Sequence, residues 1–457
     1  MVLLIGSLMF YAWGEPRFVF IMLGSILVNY AAGLAISKWQ DCGRGHFKQG
    51  ILILTLIFDL GILAIFKYLG FFVDNLNNIF GLRLLSPDIP LPIGISFFTF
   101  QAISYVADVY TGGVKAQKNL FKVALYISLF PQLIAGPIVR YSDIEVAIDC
   151  RKESIDDFSE GIQRFIIGLA KKVLLADQLA LLADSIINNT NISGGLFYNI
   201  SVVSAWTGAI AYALQIYFDF SGYSDMAIGL GRVFGFKFQE NFNYPYVACS
   251  VRDFWKRWHI SLSTWFRDYV YIPLGGSKGT KCSTVRNLCI VWLLTGFWHG
   301  ASWNFVIWGG CFLILLLLER YIFPMDKIMK GRISKFLYRI FTLGCVCCNW
   351  IIFRNTKIMG GIYYIGCMLG INAVEIYKPY DGFIILNNIV LLIVALVCCV
   401  PCKQWIKKFI IRRNMIENSL FWTLWMVIYI AILFVILILC VASIARGNYS
   451  PFIYFNF

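Results

Sequence analysis

Two histidines, each directly after a tryptophan, are the groups in this sequence best suited to proton transfer. The chain contains three His residues, and two of them, His259 and His299, lie in the segment 250–309. Thr295 and Ser302 lie about one helical turn on either side of His299, so both hydroxyls could reach its ring. Burial among apolar neighbours would disfavour the imidazolium form and keep this ring neutral. A neutral, desolvated imidazole can take a proton from an attacking hydroxyl or thiol.

The residues alone also leave a purely structural role open for His299. A hydrogen-bonded core histidine is an ordinary feature of a Trp-rich helix bundle. The sequence has no G-x-S-x-G elbow, no P-loop and no HExxH motif. The two C-x-x-C matches, Cys345–Cys348 and Cys399–Cys402, lack a second pair or a nearby His, so we expect no metal site. Proton transfer by His is therefore the chemistry that the sequence offers most plainly.

The first of the two histidines lies in an amphipathic segment, which we predict to be one helix over residues 252–269. At helical spacing one stripe of this helix would contain five side chains: Arg252, Trp255, His259, Ser263 and Phe266. Lys and Arg clearly outnumber Asp and Glu across 252–286. Such an excess is typical of cytoplasmic loops, and it would also attract an anionic donor such as coenzyme A or a phosphopantetheine thioester. The sequence does not separate these two interpretations.

Two carboxylates lie within the apolar run 197–231. Asp219 and Tyr223 are four residues apart and would share one helix face, and Asp225 follows them. An ionisable group inside a membrane is costly, so each should contribute to function or pair with an opposite charge. We favour pairing that fixes the core over acid–base chemistry. The expected partners are three arginines, Arg252, Arg257 and Arg267.

The composition requires a membrane environment. The 457 residues are 59% hydrophobic and only 14% charged, with a mean hydropathy of +0.71, whereas soluble domains have about 25% charged residues. The net charge is +14, but Lys and Arg lie between the apolar runs, which is typical of membrane topology rather than nucleic-acid binding. The lipid bilayer is therefore an expected partner and nucleic acid is not.

We predict an all-α polytopic membrane protein with about eleven or twelve hydrophobic helices, some of them half-depth. Pro and Gly interrupt two of the apolar runs, near 91–94 and near 131–137. These interruptions indicate either a shaped interior or simple packing kinks. The apolar runs are 2–13, 17–36, 51–73, 91–110, 119–139, 197–231, 286–298, 300–322, 337–353, 359–372, 383–401 and 420–445, and a long helical pattern covers 161–187.

The motifs of the central segment resemble the membrane-bound O-acyltransferase (MBOAT) family. They are Arg257-Trp258-His259-Ile260-Ser261-Leu262-Ser263, Trp265-Phe266-Arg267-Asp268-Tyr269, Tyr271-Ile272-Pro273-Leu274-Gly275-Gly276 and Thr295-Gly296-Phe297-Trp298-His299-Gly300. Further similar stretches, including Asp219-Phe220-Ser221-Gly222-Tyr223-Ser224-Asp225 and Asn241-Phe242-Asn243-Tyr244-Pro245, extend the resemblance over nearly the entire chain. The branch that O-acetylates bacterial alginate is the most similar, and proteins of teichoic-acid D-alanylation are more distant.

The resemblance implies one domain over 1–457, a ring of tilted helices around a funnel and tunnel. Its core would span 90–322, followed by C-terminal helices over 323–457. Members of this branch usually have a further apolar segment before Phe10-Tyr11-Ala12-Trp13-Gly14, so the first helix would be truncated. The active histidine corresponds to His299, and His259 corresponds to an assisting polar position. Around them we expect a substrate tunnel with Trp255, Arg257, Trp258, Ser263, Trp265, Arg267, Asp268, Tyr269, Thr295, Trp298, Asn304, Asp219, Tyr223 and Asp225.

By the same resemblance, we expect an O-acetyltransferase of the bacterial cytoplasmic membrane that modifies a cell-surface polysaccharide. It would bind no cofactor, and its co-substrate would be an acyl thioester, acetyl-CoA or an acyl carrier. The expected protein partner is an extracytoplasmic, esterase-like acetyltransferase. Three alternatives stay open: D-alanyl transfer to teichoic acid, a transporter or channel with interrupted helices, and a scaffold subunit whose histidines are structural.

Overall fold

The computed structural model describes residues 1–41, 45–187, 200–323, 331–402, 405, 419–447 and 452. Throughout these ranges the regular secondary structure is helical, and no strand occurs. Within the described ranges, six helices are long and apolar enough to cross a membrane: Val19–Gln40, Gly45–Phe80, Trp303–Tyr321, Arg332–Arg354, Pro379–Cys398 and Leu424–Ala445. The prediction of an all-α polytopic membrane protein is confirmed. The sequence also predicts a break at Gly194–Gly195 and an aromatic tail over 450–457, but the break and most of the tail lie outside the described residues.

Many of the helices that precede the central segment are short or interrupted. They are α1 Val2–Gly14, α2 Val19–Asp41, α3 Gly45–Leu63, α4 Leu69–Phe80, α5 Ile95–Thr111, α6 Leu120–Ser128, α7 Phe130–Leu133, α8 Tyr141–Cys150, α9 Ile155–Ala170 and α10 Asp177–Ile187. A π turn, Ala64–Tyr68, joins α3 to α4, and a second, Lys171–Ala176, joins α9 to α10. Single π turns inside helices are frequent at functional sites.

The helices of the second half include the longest in the chain. They are α11 Val202–Val233, α12 Val251–Trp255, α13 Ile260–Phe266, α14 Lys281–His299, α15 Trp303–Tyr321, α16 Arg332–Arg354, α17 Ile358–Met368, α18 Pro379–Cys398 and α19 Ser419–Ala445. A π turn, Arg267–Tyr271, follows α13. Large aromatic side chains fill the core where α12, α15 and α16 meet, and Trp258, Trp308 and Trp350 are buried there.

Both predicted interruptions occur, and they meet in space. Gly94 has φ 76° and begins α5, in a conformation that favours glycine. A Cβ at this position would lie 2.6 Å from the carbonyl oxygen of Leu133. The run 119–139 is not one span, because its helical part ends at Leu133. The two irregular segments therefore pack on each other, as expected for a shaped interior covered by protein.

Close helix packing brings two charged segments together. A Cβ at Gly168 of α9 would lie 2.6 Å from the carbonyl oxygen of Gly222 of α11. Small residues allow such close backbone approach between membrane helices. The contact places the π turn after α9, with Lys171 and Lys172, against the acidic stretch of α11.

Candidate functional site

His299 is the last residue of α14 and lies in an aromatic enclosure. Its side chain is 4% exposed. Its ring contacts Trp298, Trp308 and Phe353 edge-on, with centroid distances of 5.0, 4.9 and 5.2 Å. Such burial favours a neutral imidazole. The hydroxyl of Thr295 donates to the carbonyl oxygen of Val291 at 2.7 Å, so its proton is not directed at the histidine ring.

Two consecutive residues of the π turn Ala64–Tyr68 hold the end of α14 in place. The Nζ of Lys67 donates to the carbonyl oxygen of Trp298 at 2.6 Å, and the hydroxyl of Tyr68 donates to that of Phe297 at 2.7 Å. The last carbonyl groups of a helix lack partners within the helix, so these two side chains cap it. They fix the backbone directly before His299.

A small cavity of about 70 Å³ lies beside His299. Its wall consists of Lys67, the irregular stretch from Leu91 to Gly94, the first residues of α5, Ile134, Trp298 and His299. Lys67 also donates to the Oγ of Ser96 at 3.3 Å within this wall. A bound water needs at least about 10–15 Å³ of such space. The cavity therefore has room for a few small groups but not for a sugar ring.

A much larger cavity, of about 710 Å³, lies along another part of α14. Thr295 lines it, one helical turn before His299, as do Trp255, Ser263 and Arg267. Three further cations reach this basic cavity: Arg252, Lys256 and Arg320. All four cations are exposed, and among the residues that the structure describes only Asp253 and Glu319 contribute acidic groups to the wall. The basic cavity could hold an anionic ligand.

A third, mainly apolar cavity of about 750 Å³ lies between α3, α5 and the segment after α13. Trp265, Asp268, Tyr269 and Trp298 line it. Asp268 binds Arg140 at 2.7 Å and Arg267 at 2.6 Å. Partial burial by itself would raise the pKa of Asp268, but the hydrogen bond from Arg267 and the charge of Arg140 outweigh burial and lower it. This carboxylate is therefore ionised and paired.

The segment around His259 is not the single helix that the sequence predicts over 252–269. Helix α12 ends at Trp255, and His259 has φ 43° and ψ 57° directly before α13. A left-handed conformation is uncommon for a residue other than glycine and breaks the helix there. His259 is 1% exposed and does not line the basic cavity, whereas the other four side chains of the predicted stripe do. The stripe of five side chains that the sequence predicts is therefore interrupted at His259.

The tautomer of His259 follows from its hydrogen bonds. Its Nδ1 lies 3.1 Å from the Oδ1 of Asn241, which also accepts from the backbone N–H and the hydroxyl of Ser261. The Nδ2 of Asn241 donates to the Oγ of Ser224 at 3.1 Å. Because Asn241 offers an oxygen, Nδ1 of His259 must donate, and its Nε2 keeps a lone pair. Nε2 is buried and has no hydrogen-bond partner in the described part of the chain.

The carboxylates of α11 form ion pairs, as predicted, but with other partners. Asp219 lies 2.7 Å from the Nζ of Lys172, which also binds Asp177 at 2.8 Å. Asp225 binds Lys171 at 2.6 Å and Arg164 at 2.8 Å. The predicted arginines are elsewhere, because the break at His259 and the packing of α9 on α11 bring the lysines of the π turn closer.

The other predicted tunnel residues line none of the three cavities described above. Arg257 binds Asp253 at 2.9 Å, and Trp258 is buried in the aromatic core. Asn304 donates to the carbonyl oxygen of Phe353 at 3.1 Å, which joins α15 to α16 next to His299. The ring of Tyr223 packs edge-on against Phe452. These contacts hold the structure around the site together.

Sequence reasoning missed Lys67, Ser96 and Asn241. Lys67 had a signal, since a lone cation inside an apolar span is a functional candidate. Asn241 lies in a stretch that resembles the family, but only the folded chain brings it to His259. Lys67 also precedes the segment 90–322 in which the sequence places the site. Within the ranges described, no three His, Cys, Asp or Glu side chains converge as ligands for a metal.

Comparisons with known proteins agree with this architecture. A model of the membrane-bound O-acyltransferase family matches residues 115–359. A probable alginate O-acetylase of Pseudomonas aeruginosa is 45% identical over 78% of this chain and 66% of its own length. A probable alginate O-acetylase of Pseudomonas putida is 37% identical over 100% of this chain and 94% of its own length. A peptidoglycan O-acetyltransferase of Helicobacter pylori is 35% identical over 82% of this chain and 74% of its own length.

The family match covers α6 to the start of α17 and so includes both histidines, the basic cavity and the end of α14. The similarity to the Pseudomonas putida protein extends over the whole chain, including Lys67 and the π turn that carries it. This multi-pass membrane protein belongs to the membrane-bound O-acyltransferase family.

Proposed function

We propose that this acyltransferase moves an acetyl group from a thioester donor towards a hydroxyl group of a cell-surface polysaccharide, with His299 as the general base. The observation that carries the proposal is the course of α14. The helix lines the basic cavity at Thr295 and reaches the small cavity at His299, only about 6 Å further along its axis. A buried imidazole that lines one cavity and lies one helical turn from another is suited to a reaction whose two substrates arrive from different directions.

The basic cavity is the proposed donor site. Its exposed cations would attract the phosphate groups of coenzyme A or of a phosphopantetheine arm. An excess of Lys and Arg also marks the cytoplasmic side of a membrane protein. The donor would thus enter from the cytoplasm, and its thioester would reach the end of α14 past Trp255 and Thr295.

The small cavity is the proposed place of transfer. The acceptor hydroxyl attacks the thioester carbonyl carbon, and His299 takes the hydroxyl proton. At the same time the electron pair of the C=O bond moves to the carbonyl oxygen. When the tetrahedral intermediate collapses, the C=O bond forms again and the C–S bond breaks. The leaving sulfur takes the proton back from His299. The small size of the cavity favours a short acyl group such as acetyl.

His259 is proposed to assist this reaction from behind Trp298. Its ring centroid lies 5.7 Å from that of Trp298, which in turn lies 5.0 Å from that of His299. The lone pair on Nε2 of His259 can accept a hydrogen bond from a water molecule or from the hydroxyl group of the substrate that receives the acyl group. Asn241 keeps this lone pair available.

The polymer and the partner are proposed from the relatives. Two of them are called alginate O-acetylases and one a peptidoglycan O-acetyltransferase, and both kinds of substrate are surface polysaccharides. The protein would act in the bacterial cytoplasmic membrane. An extracytoplasmic, esterase-like acetyltransferase would receive the acetyl group and place it on the polymer.

The test is the ester content of the surface polymer in cells with the wild-type protein, without it, and with His299→Ala. We expect acetyl esters only with the wild-type protein, while the variant inserts in the membrane at a normal level. D-alanyl esters instead of acetyl esters would favour the alternative acyl group. Normal acetylation by His299→Ala would contradict the assignment, and substrate flux without ester formation would favour a transporter.

A further inference from the structure

Lys67 is an unusual group for the position it occupies. It belongs to the membrane-length helical segment Gly45–Phe80 and lies in the π turn between α3 and α4. A charged side chain at membrane depth is costly and needs compensation or a function. Lys67 is half-buried, and its ammonium group points into the small cavity that His299 also lines.

No carboxylate compensates this cation among the residues that the structure describes. Its Nζ donates hydrogen bonds to the carbonyl oxygen of Trp298 at 2.6 Å and to the Oγ of Ser96 at 3.3 Å, and it lies 5.9 Å from the centroid of the Trp298 ring. Each of these groups is neutral. They orient the ammonium group but leave its charge unbalanced, so an anion in the small cavity would be stabilised.

We propose that Lys67 stabilises the oxyanion that forms during acyl transfer, and that Ser96 orients it. This inference rests on the proposed function and assigns a further catalytic residue to the same reaction. As the acceptor hydroxyl attacks, the carbonyl electron pair moves to oxygen and the hydroxyl proton moves to His299. The ammonium group faces the new negative charge and is itself unchanged when the C=O bond forms again and the thiol leaves.

The position of Lys67 is suited to this role. Its bond to the carbonyl oxygen of Trp298 fixes it relative to the residue that follows, which is His299. A donor held in place before the reaction begins needs no reorganisation when charge develops. The apolar surroundings, with Phe97, Ile134 and Trp298 in the same wall, keep the local dielectric low and strengthen the interaction.

Lys67 could instead act only by capping α14, and three variants separate the two roles. Lys67→Gln keeps a donor for the Trp298 carbonyl but removes the charge. Lys67→Met removes both, and Lys67→Arg keeps both. The measurement is the initial rate at which cells fed labelled acetate acetylate their surface polymer, divided by the amount of membrane-inserted protein.

We expect Lys67→Gln and Lys67→Met to lose activity alike, by about 100-fold or more, as when an oxyanion donor is removed. Lys67→Arg should retain more activity than Lys67→Gln. The matched control is Lys48→Gln on the same helical segment, because Lys48 lies over the ring of Tyr110, away from the small cavity. Near-normal activity of Lys67→Gln would overturn the inference, since a neutral cap would then be sufficient.

A second pair of variants tests the charge without changing Lys67, in case its variants do not insert. Ser96→Asp would place a carboxylate beside the ammonium group and neutralise it, and Ser96→Asn is the neutral control of the same shape. We expect the Asp variant to be at least about ten-fold slower than the Asn variant. Equal rates would overturn the inference. If His299→Ala is inactive while Lys67→Gln is active, only the proposed role of Lys67 is refuted. Absence of acetylation by the wild-type protein would refute the proposed function itself.

Discussion

Two regions of this molecule carry charged side chains away from water, and these charges are paired with opposite charges in one region but not in the other. Between α9 and α11, Lys172 lies between Asp177 and Asp219, and the three side chains are at most 5% exposed. At the end of α14, Lys67 contacts only neutral groups among the described residues and lies beside a buried histidine. In the first region each charged group has an oppositely charged partner. The second leaves charge and space for a ligand.

This difference distinguishes a structural site from a functional one. Taking charges out of water is costly, and an opposite charge with good hydrogen bonds compensates for that cost. A cation that is only oriented by neutral groups is not compensated in the same way, and such arrangements cluster at sites where charge develops during a reaction. We therefore propose that the region around Lys172 stabilises the fold and that the region around His299 carries out the chemistry.

The largest effect on stability is expected from Lys172→Met. The substitution leaves Asp177 and Asp219 buried without their shared cation, which should cost about 3–5 kcal/mol. The amount of inserted protein and its thermal unfolding in detergent should fall together. Lys171→Met is the control, because Asp225 would still bind Arg164, and the cost should be about 1 kcal/mol. A Lys172→Met protein of normal stability would contradict the structural role of the region around Lys172.

Asn241→Ala should affect both stability and catalysis. It removes the acceptor for Nδ1 of His259 and for Ser261, and leaving such buried donors unsatisfied costs about 1–3 kcal/mol. Because the tautomer of His259 is no longer fixed, acetylation per inserted molecule should also fall. Ser224→Ala removes only the contact on the far side of Asn241. It should destabilise the protein to a similar extent without this loss of activity. Equal activity of both variants would show that His259 takes no part in the reaction.

The smallest effects are expected from the cations of the basic cavity. Arg252→Gln, Lys256→Gln and Arg320→Gln each remove one exposed charge, worth about 0.2–1 kcal/mol in similar surface interactions. Each should weaken the apparent affinity for the donor up to about five-fold, and less so at high salt. Lys152→Gln, at an exposed position outside the three cavities, is the control. Unchanged donor affinity in all three variants would mean that these cations serve topology alone.

The sequence predicted the helical membrane fold and the family, and both predictions are confirmed. Apolar runs of membrane length are a direct consequence of lipid thickness, so composition is sufficient to find them. The two Pro and Gly interruptions were also visible, and their meeting beside the small cavity supports a shaped interior. The assignment of catalytic roles to His299 and His259 stays a prediction, as does the domain division with its core over 90–322.

The parts that the sequence did not predict depend on contacts between distant segments. The predicted helix over 252–269 was wrong because His259 adopts a left-handed backbone conformation beside Asn241, a local departure that helical periodicity does not report. The partners of Asp219 were wrong because glycines let α9 approach α11 and deliver Lys172. Lys67 reaches His299 across more than half of the chain, and no local pattern indicates such a contact.

The most direct test compares His299→Gln with Lys172→Met in one measurement. Cells fed labelled acetate give an initial rate of polymer acetylation, and the amount of membrane-inserted protein converts it to a rate per molecule. We expect His299→Gln to be present at a normal level and at least about 100-fold slower per molecule, the contribution expected of a general base. Lys172→Met should be scarce but normally active per molecule. A normal rate for His299→Gln would contradict the account.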